Sequence, residues 1–274
     1  MAALMGGLGA TLLSLTRPLQ PLMPRMLPKL VIIGAQKAGT TTLYDLLSHH
    51  PRIIQTRVKE VSFFSDEAAY ALGMGHYRSF FPRRPVLGRA ITFDASPMYL
   101  YHASCAERIA RHLPDALCLA ILRDPVERAY SAWNMYHRFK DDPRNAHLHD
   151  PRSFEDAVEE ELSGRPVDEA KRYLDRGLYI PQLDRYVRAI GSARLLVHGF
   201  EEVKRDPAGL VNGVLARLGL EAMPTDHRAF ATRSNAREYE SAMSAAMTDR
   251  LRTFFAEDME QVQRTFGIRL SPPR

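Results

Sequence analysis

From Lys29 onward the chain alternates short apolar or β-branched runs with stretches whose apolar residues recur at helical spacing. That is the pattern of a parallel sheet with helices on both faces. The runs Leu30 to Ile33, Ile53 to Gln55, Ala90 to Phe93, Leu117 to Leu122 and Leu195 to His198 read as strands, each bounded by Gly, Pro or charge. Between them, Thr41 to His49 carries Leu43, Leu46 and Leu47 on one helical face before Pro51 ends it. Further helices are expected over Ala103 to His112 and from Asp124-Pro125 to about Arg138, where Asp124 suits the cap and Pro125 the first helical position. Ser153 to Leu162, Tyr179 to Ile190, Pro207 to Leu218 and Met243 to Phe266 complete the helical set. The stretch Lys140 to Pro151, rich in Asp, Asn, His and Pro, reads as an exposed loop near a substrate mouth. The expected fold class is α/β, three layers, with a central, mainly parallel five-stranded sheet flanked by helices.

Composition changes this picture little. The 37 Lys and Arg against 32 Asp and Glu give a net charge of +5, which excludes both an acidic tail and a histone-like protein. No segment reaches the ~20 apolar residues of a membrane-spanning helix. Two cysteines, Cys105 and Cys118, lie apart in a helix and a strand and read as buried thiols rather than a disulfide or zinc site. They suit a reducing compartment, and the location expected is cytoplasmic. Residues 1–28 are apolar, then proline-broken, with their first cation, Arg17, behind the apolar run. They read as a flexible N-terminal extension, with a targeting peptide or surface anchor as the alternative, ahead of a single domain over 29–274.

Chemistry concentrates in two segments. In the first, a buried strand leads into Gly34-Ala35-Gln36-Lys37-Ala38-Gly39-Thr40-Thr41-Thr42 and then into a helix. Glycines let backbone N–H groups turn around a phosphate, the helix N-terminus adds positive potential, and the threonines add hydroxyls. The spacing is that of the P-loop, G-x-x-x-x-G-K-[ST], but Thr40 follows the second glycine and the lysine, Lys37, sits inside the loop. That displacement argues against an ATPase or kinase. In the second, Arg123 emerges at the C-terminal end of a strand and Ser131 lies two turns into the following helix. An arginine fork with a hydroxyl suits a phosphate monoester.

The pair of segments resembles the sulfotransferase superfamily that uses 3′-phosphoadenosine 5′-phosphosulfate, and more closely its carbohydrate branch, the heparan sulfate sulfotransferases and their bacterial relatives. The resemblance runs from about Leu30 to Gly267 and implies a P-loop-like fold. It implies that Gln36, Lys37, Ala38, Gly39, Thr40, Thr41 and Thr42 hold the 5′-phosphosulfate and that Arg123 and Ser131 hold the 3′-phosphate. Tyr179, in Gly177-Leu178-Tyr179, and Arg237, in Arg233-Ser234-Asn235-Ala236-Arg237, join the nucleotide set by the same resemblance. The segment Lys59-Glu60-Val61-Ser62-Phe63-Phe64 is similar to a Lys-Glu-Pro-His-Phe-Phe segment whose glutamate is the catalytic base, with Val61-Ser62 in place of Pro-His. Asp94-Ala95-Ser96-Pro97-Met98-Tyr99 matches a segment that carries Glu-Lys at its start in some relatives.

The reaction so implied needs a cation for the leaving phosphate, for which Lys37 is placed, and a base for an acceptor hydroxyl. Glu60, beside Phe63 and Phe64, is the candidate base, and Asp94, just beyond a strand, the second. No spacing suggests a metal site. His49, His50 and His198 read as structural. Of Tyr77, Phe80, Phe81, Tyr99, Tyr101, Trp133 and Tyr136, most read as core, with a platform for adenine or sugar among them. Lys140, Arg144 and Arg152 flank the long loop, either solvated or meeting an anionic glycan. The expected partner is a carbohydrate or small-molecule acceptor rather than a nucleic acid. A P-loop kinase and a non-catalytic nucleotide-binding protein are the alternatives.

Overall fold

The computed structural model describes residues 22–231 and 242–270. Four strands, β1 (Leu30–Gly34), β2 (Phe93–Ala95), β3 (Leu117–Leu122) and β4 (Leu195–Gly199), form one sheet in the order β2-β1-β3-β4, every pair parallel. All of β1 is buried, as is β3 beyond Leu117, so neither run alternates with polar residues. The expected fifth strand does not form. Ile53 makes a single parallel bridge to Ile91, because Pro51 ahead and the bends at Arg57 to Lys59 behind leave no straight chain to pair. Of the expected strand Ala90 to Phe93, Ile91 carries that bridge, the Thr92 carbonyl accepts the Lys29 N–H at 3.0 Å, and β2 itself begins at Phe93.

The helices are α1 (Thr40–Ser48), α2 (Glu67–Ala71), α3 (Gly73–Ser79), α4 (Cys105–His112), α5 (Pro125–His137), α6 (Phe154–Leu162), α7 (Tyr179–Ile190), α8 (Phe200–Arg205), α9 (Pro207–Arg217), α10 (Arg228–Ala231) and α11 (Ala245–Phe266). Asp124 caps α5 as expected, accepting the N–H groups of Val126 at 2.9 Å and Glu127 at 3.0 Å. From α11, Asp258 accepts the N–H groups of Tyr179 and Ile180, both at 2.9 Å. That carboxylate supplies the cap that α7 lacks in its own sequence and pins the last helix to the sheet layer. One apolar cluster surrounds the sheet; a second joins α5, α6 and α11 through Tyr130, Trp133, Phe154, Leu251 and Phe255. Cys105 and Cys118 are both buried free thiols, and burial pushes each up to about 12.

Two boundaries differ from expectation. Of the extension over 1–28, the described part from residue 22 is docked: Arg25 bridges Arg83, and the Met26 N–H donates to the Pro82 carbonyl at 2.9 Å. The loop over Lys140 to Pro151 holds short helical turns and ends on Asp150, which is fully buried. Arg152 binds both Asp150 oxygens, at 2.9 and 2.6 Å, and also meets Glu160, so its guanidinium is committed to the fold. It is not held out to an anionic glycan.

The strand order places the site. The chain steps from β1 to β2 on one side and returns to β3 on the other, so the crevice beyond the C-terminal ends of β1 and β3 is a topological switch point, where ligands of open α/β sheets bind. Both chemistry-bearing segments leave the sheet there.

Candidate active site

The loop after β1 is clamped at its start, where the Ala35 N–H donates to Ile121 of β3 at 2.8 Å. Lys37 (φ 69°) and Gly39 (φ 85°) then adopt left-handed backbone, which turns the chain into α1. Both glycines are required by close approach as well as by the turn. A Cβ at Gly34 would lie 2.8 Å from Leu100 Cβ and from the Pro97 carbonyl oxygen; one at Gly39 would lie 2.7 Å from the Phe200 ring. The N–H groups of Gly39, Thr40 and Thr41 stand at the head of α1, where intrahelical acceptors are missing and the dipole is positive. The Gln36 side chain is held on both sides, by Arg176 Nη1 at 3.1 Å and by the Tyr136 hydroxyl at 3.4 Å. Ala38 and Thr40 are buried beneath the turn, while Thr41 is exposed and Thr42 half-buried.

Arg123 leaves β3 and reaches the same loop. Its Nη1 donates to the Lys37 carbonyl at 3.3 Å, its Nη2 pairs with Glu127 at 3.2 Å, and the guanidinium lies 5.2 Å from the centre of the Phe200 ring. Tyr179 is fully buried, and its hydroxyl donates to the Arg123 carbonyl at 2.8 Å. It therefore fixes the strand end that presents Arg123. Ser131 is buried on α5, and no hydrogen bond joins it to Arg123 among the described residues. Arg237 lies outside the described residues.

The two carboxylates differ sharply. Glu60 is exposed, in left-handed backbone at φ 60°, with its carboxylate 3.7 Å from Lys59 Nζ. The same Nζ donates to Thr41 Oγ1 at 2.6 Å, so one lysine ties Glu60 to the head of α1. Phe63 and Phe64 do not shield that carboxylate as expected: both are fully buried in an aromatic cluster with Tyr70 and Tyr77. Asp94 is fully buried and accepts from the hydroxyls of Tyr77 and Tyr99 at 3.0 Å and of Ser96 at 2.8 Å. Burial raises its pKa above the usual carboxylate range, against the pull of those donors. Of the remaining aromatics, Tyr77, Phe81 and Tyr99 are fully buried. Half-buried Tyr101 instead lies under the Arg176 guanidinium at 5.0 Å. His50 is structural: its Nδ1 accepts the Arg52 N–H, which leaves Nε2 to donate to the Glu221 carbonyl.

Sequence reasoning missed three residues at this site. Phe200, the first residue of α8, fills the space left by Gly39 and underlies Arg123. Arg128 and Arg176 line a small cavity, about 10 Å³, behind Ala35 and Gln36. Arg128 is fully buried, donates to the Tyr173 carbonyl, and has a pKa pushed down by burial to about 10. The available signal was its position: Arg128 interrupts the apolar face that Pro125, Val126, Ala129 and Ala132 form on α5. Among the described residues, no group of three or more His, Cys, Asp or Glu side chains could hold a metal ion, and no helix is long and apolar enough to cross a membrane.

Comparison with known proteins points to one family. The sulfotransferase domain family model matches residues 27–226. The mouse bifunctional heparan sulfate N-deacetylase/N-sulfotransferase 4 is 30% identical over 201 residues, covering 71% of this chain and 22% of that protein. The mouse heparan sulfate glucosamine 3-O-sulfotransferase 3B1 is 29% identical over 202 residues, covering 74% and 48%. This chain thus spans between about a fifth and a half of these relatives' length. A crystal structure of a sulfotransferase from Alicyclobacillus acidocaldarius superposes with a TM-score of 0.67 at 28% identity, covering 88% of this chain and 96% of that one.

Proposed function

The chain belongs to the sulfotransferase domain family, and from that premise we propose that it transfers a sulfuryl group from 3′-phosphoadenosine 5′-phosphosulfate to a hydroxyl or amine of a carbohydrate or related small molecule. The observation that carries the reading is the meeting of the two phosphate segments, with Arg123 donating to the Lys37 carbonyl at the switch point. A nucleotide with phosphates at both its 5′ and 3′ positions needs two anion sites, and in this reading the glycine loop supplies one and Arg123 the other. Glycine at position 39 lets the loop turn in left-handed backbone against the Phe200 ring, a conformation that leaves backbone N–H groups free to face a phosphate.

In this reading Gln36, Lys37, Ala38, Gly39 and Thr40 to Thr42 hold the 5′ end of the donor. Arg123, with Ser131 on the adjoining helix, holds the 3′-phosphate, and Tyr179 supports Arg123 from behind. Arg237 belongs to the same nucleotide set by family likeness. The donor, when bound, supplies an already electrophilic sulfur and a phosphate leaving group. The protein's contribution is alignment and charge. Lys37 neutralises charge developing on the leaving oxygen. Glu60 takes the acceptor proton, and Lys59 keeps it beside α1. The domain is taken to include the docked segment ahead of β1, and the two free thiols favour a reducing, cytoplasmic setting.

The test is transfer of ³⁵S from labelled donor to a panel of desulfated glycans, simple sugars, alcohols, phenols and amines. Label appearing on a glycan or sugar with stoichiometric release of 3′-phosphoadenosine 5′-phosphate supports the reading. Nucleotide binding with no transfer to any acceptor points to a non-catalytic binding protein, and phosphoryl transfer from ATP to a kinase.

A further inference from the structure

Asp94 sits one strand away from the phosphate loop, paired in register with Val31 of β1, yet it is fully buried and surrounded by hydroxyl donors. Two of those hydroxyls also face outward. Ser96 Oγ donates to Asp94 Oδ1 at 2.8 Å and accepts the backbone N–H of Ser62 at 3.0 Å. The Tyr99 hydroxyl donates to Asp94 Oδ2 at 3.0 Å and accepts the N–H of Phe64 at 3.5 Å. Each hydroxyl spends its one hydrogen on the carboxylate, which leaves its lone pairs turned to the chain. Asp94 is thus connected through two arms to the backbone just after Glu60.

That backbone needs holding. Glu60 and Ser62 both lie in the left-handed region, at φ 60° and 54°, without being glycine. Residues in such conformations persist where their surroundings over-determine them. Inside the turn, the Ser62 carbonyl accepts the N–H groups of Ser65 and Asp66 at 3.1 Å. Towards the core, the N–H groups of Ser62 and Phe64 donate to the Ser96 and Tyr99 hydroxyls, and Arg108 Nη1 donates to the Phe64 carbonyl at 2.9 Å. The buried Phe63 and Phe64 rings complete the attachment; of these ties, the Ser62 bond lies nearest Glu60.

We propose that Asp94 is a positioning residue rather than a proton acceptor: through Ser96 and Tyr99 it fixes the Glu60–Phe64 turn and so aims the Glu60 carboxylate. This rests on the reading of Glu60 as the base. It assigns the two carboxylates different work, one at the surface moving a proton and one in the core holding backbone. It also gives the hydroxyls of the segment from Asp94 to Tyr99 a shared purpose.

The test is steady-state kinetics on Ser96→Ala, Tyr99→Phe, Asp94→Asn and Glu60→Gln, with each single change also combined with Glu60→Gln. Affinity for 3′-phosphoadenosine 5′-phosphate is measured beside it. Misaiming a reacting group costs up to about 100-fold, so Ser96→Ala should lower kcat by about 10- to 100-fold with nucleotide affinity unchanged. Added to Glu60→Gln it should cost nothing further, because the aimed group is already gone. The acidic limb of the pH–rate profile should survive in Asp94→Asn and vanish in Glu60→Gln. Full activity of both Ser96→Ala and Tyr99→Phe beside an inactive Glu60→Gln overturns the proposal and leaves Glu60 as the base. Additive losses, or equal losses in rate and nucleotide affinity, show a purely structural role and also overturn it. If Asp94→Asn alone removes the acidic limb, Asp94 is itself the base. An active Glu60→Gln removes the underlying reading and the inference with it.

Discussion

Replacing Gly39 by alanine probes the phosphate loop at its tightest point. An L-residue in left-handed backbone costs roughly 1–2 kcal/mol, and Gly39 stands at φ 85°. The added methyl would also lie 2.7 and 2.9 Å from two carbons of the Phe200 ring, inside any normal contact. Overpacking of this kind costs about 1–3 kcal/mol, so the two effects together give roughly 2–5 kcal/mol. The ring cannot retreat freely, because the Arg123 guanidinium lies 5.2 Å from its centre and Lys204 Nζ 4.8 Å. Relief of the clash therefore displaces either the loop or Arg123, and both act on the same nucleotide. Urea unfolding should show the stability loss, and calorimetry with 3′-phosphoadenosine 5′-phosphate a matching fall in affinity. Adding Phe200→Leu should restore the packing part of the loss and leave the backbone part. A Gly39→Ala protein with unchanged stability and unchanged affinity would refute both the clash and the role of the loop.

Three further outcomes follow from the site and its supports. Lys37→Ala should reduce turnover more than nucleotide affinity, since its charge matters most as the leaving oxygen becomes an anion; unchanged kcat with a raised donor KM would confine Lys37 to ground-state binding. Glu60→Gln should keep fold and nucleotide affinity while losing about 10²- to 10⁴-fold in rate, the usual share of a positioned base, as read from initial rates on a verified acceptor. Arg152→Met should cost up to about 3 kcal/mol in urea unfolding, the low end for a broken buried pair, because it strips the guanidinium from a fully buried Asp150 that keeps only the Tyr173 hydroxyl and a backbone N–H. Burial raises the pKa of Asp150, but the Arg152 and Tyr173 hydrogen bonds outweigh it and leave the group below the usual carboxylate range. A depressed folded-state pKa gives stability that is present above the unfolded value and lost as pH falls through the folded one. The variant should lose that acid-side slope, and an unaltered pH–stability curve would count against the pairing.

The chain's chemistry was more legible than its supports. The glycine loop and Arg123 were readable because strand, loop and helix follow each other without interruption, and the strand order brings them together. The five-strand sheet was overcounted because Ile53 to Gln55 has strand composition but no length, and one bridge is all the flanking bends allow. The helices α2 and α3 went unseen: each is a few residues long, and together they bury only Tyr77. Phe200 and Arg128 act through contacts distant in sequence, such as Phe200 against Gly39, and no local pattern carries those; Ser96 and Tyr99 are near neighbours of Asp94, but their links to Ser62 and Phe64 are again distant. The shielding expected for Glu60 failed because adjacent residues in a turn can face opposite ways; Phe63 and Phe64 turn inward while Glu60 stays at the surface.

Recognition of a 3′-phosphate by Arg123 is measured directly by calorimetric titration with 3′-phosphoadenosine 5′-phosphate, ADP and ATP, on the native protein and on Arg123→Ala. The bisphosphate should bind the native protein most tightly. Losing the arginine should cost it roughly 1.5–3 kcal/mol, the range for hydrogen bonds to charged groups, and cost ADP less, through the lost bond to the Lys37 carbonyl alone. Equal affinity of the native protein for ADP and the 3′-phosphorylated nucleotide, or an Arg123→Ala protein that distinguishes them as sharply as the native one, would contradict the assignment of this crevice to a sulfuryl donor.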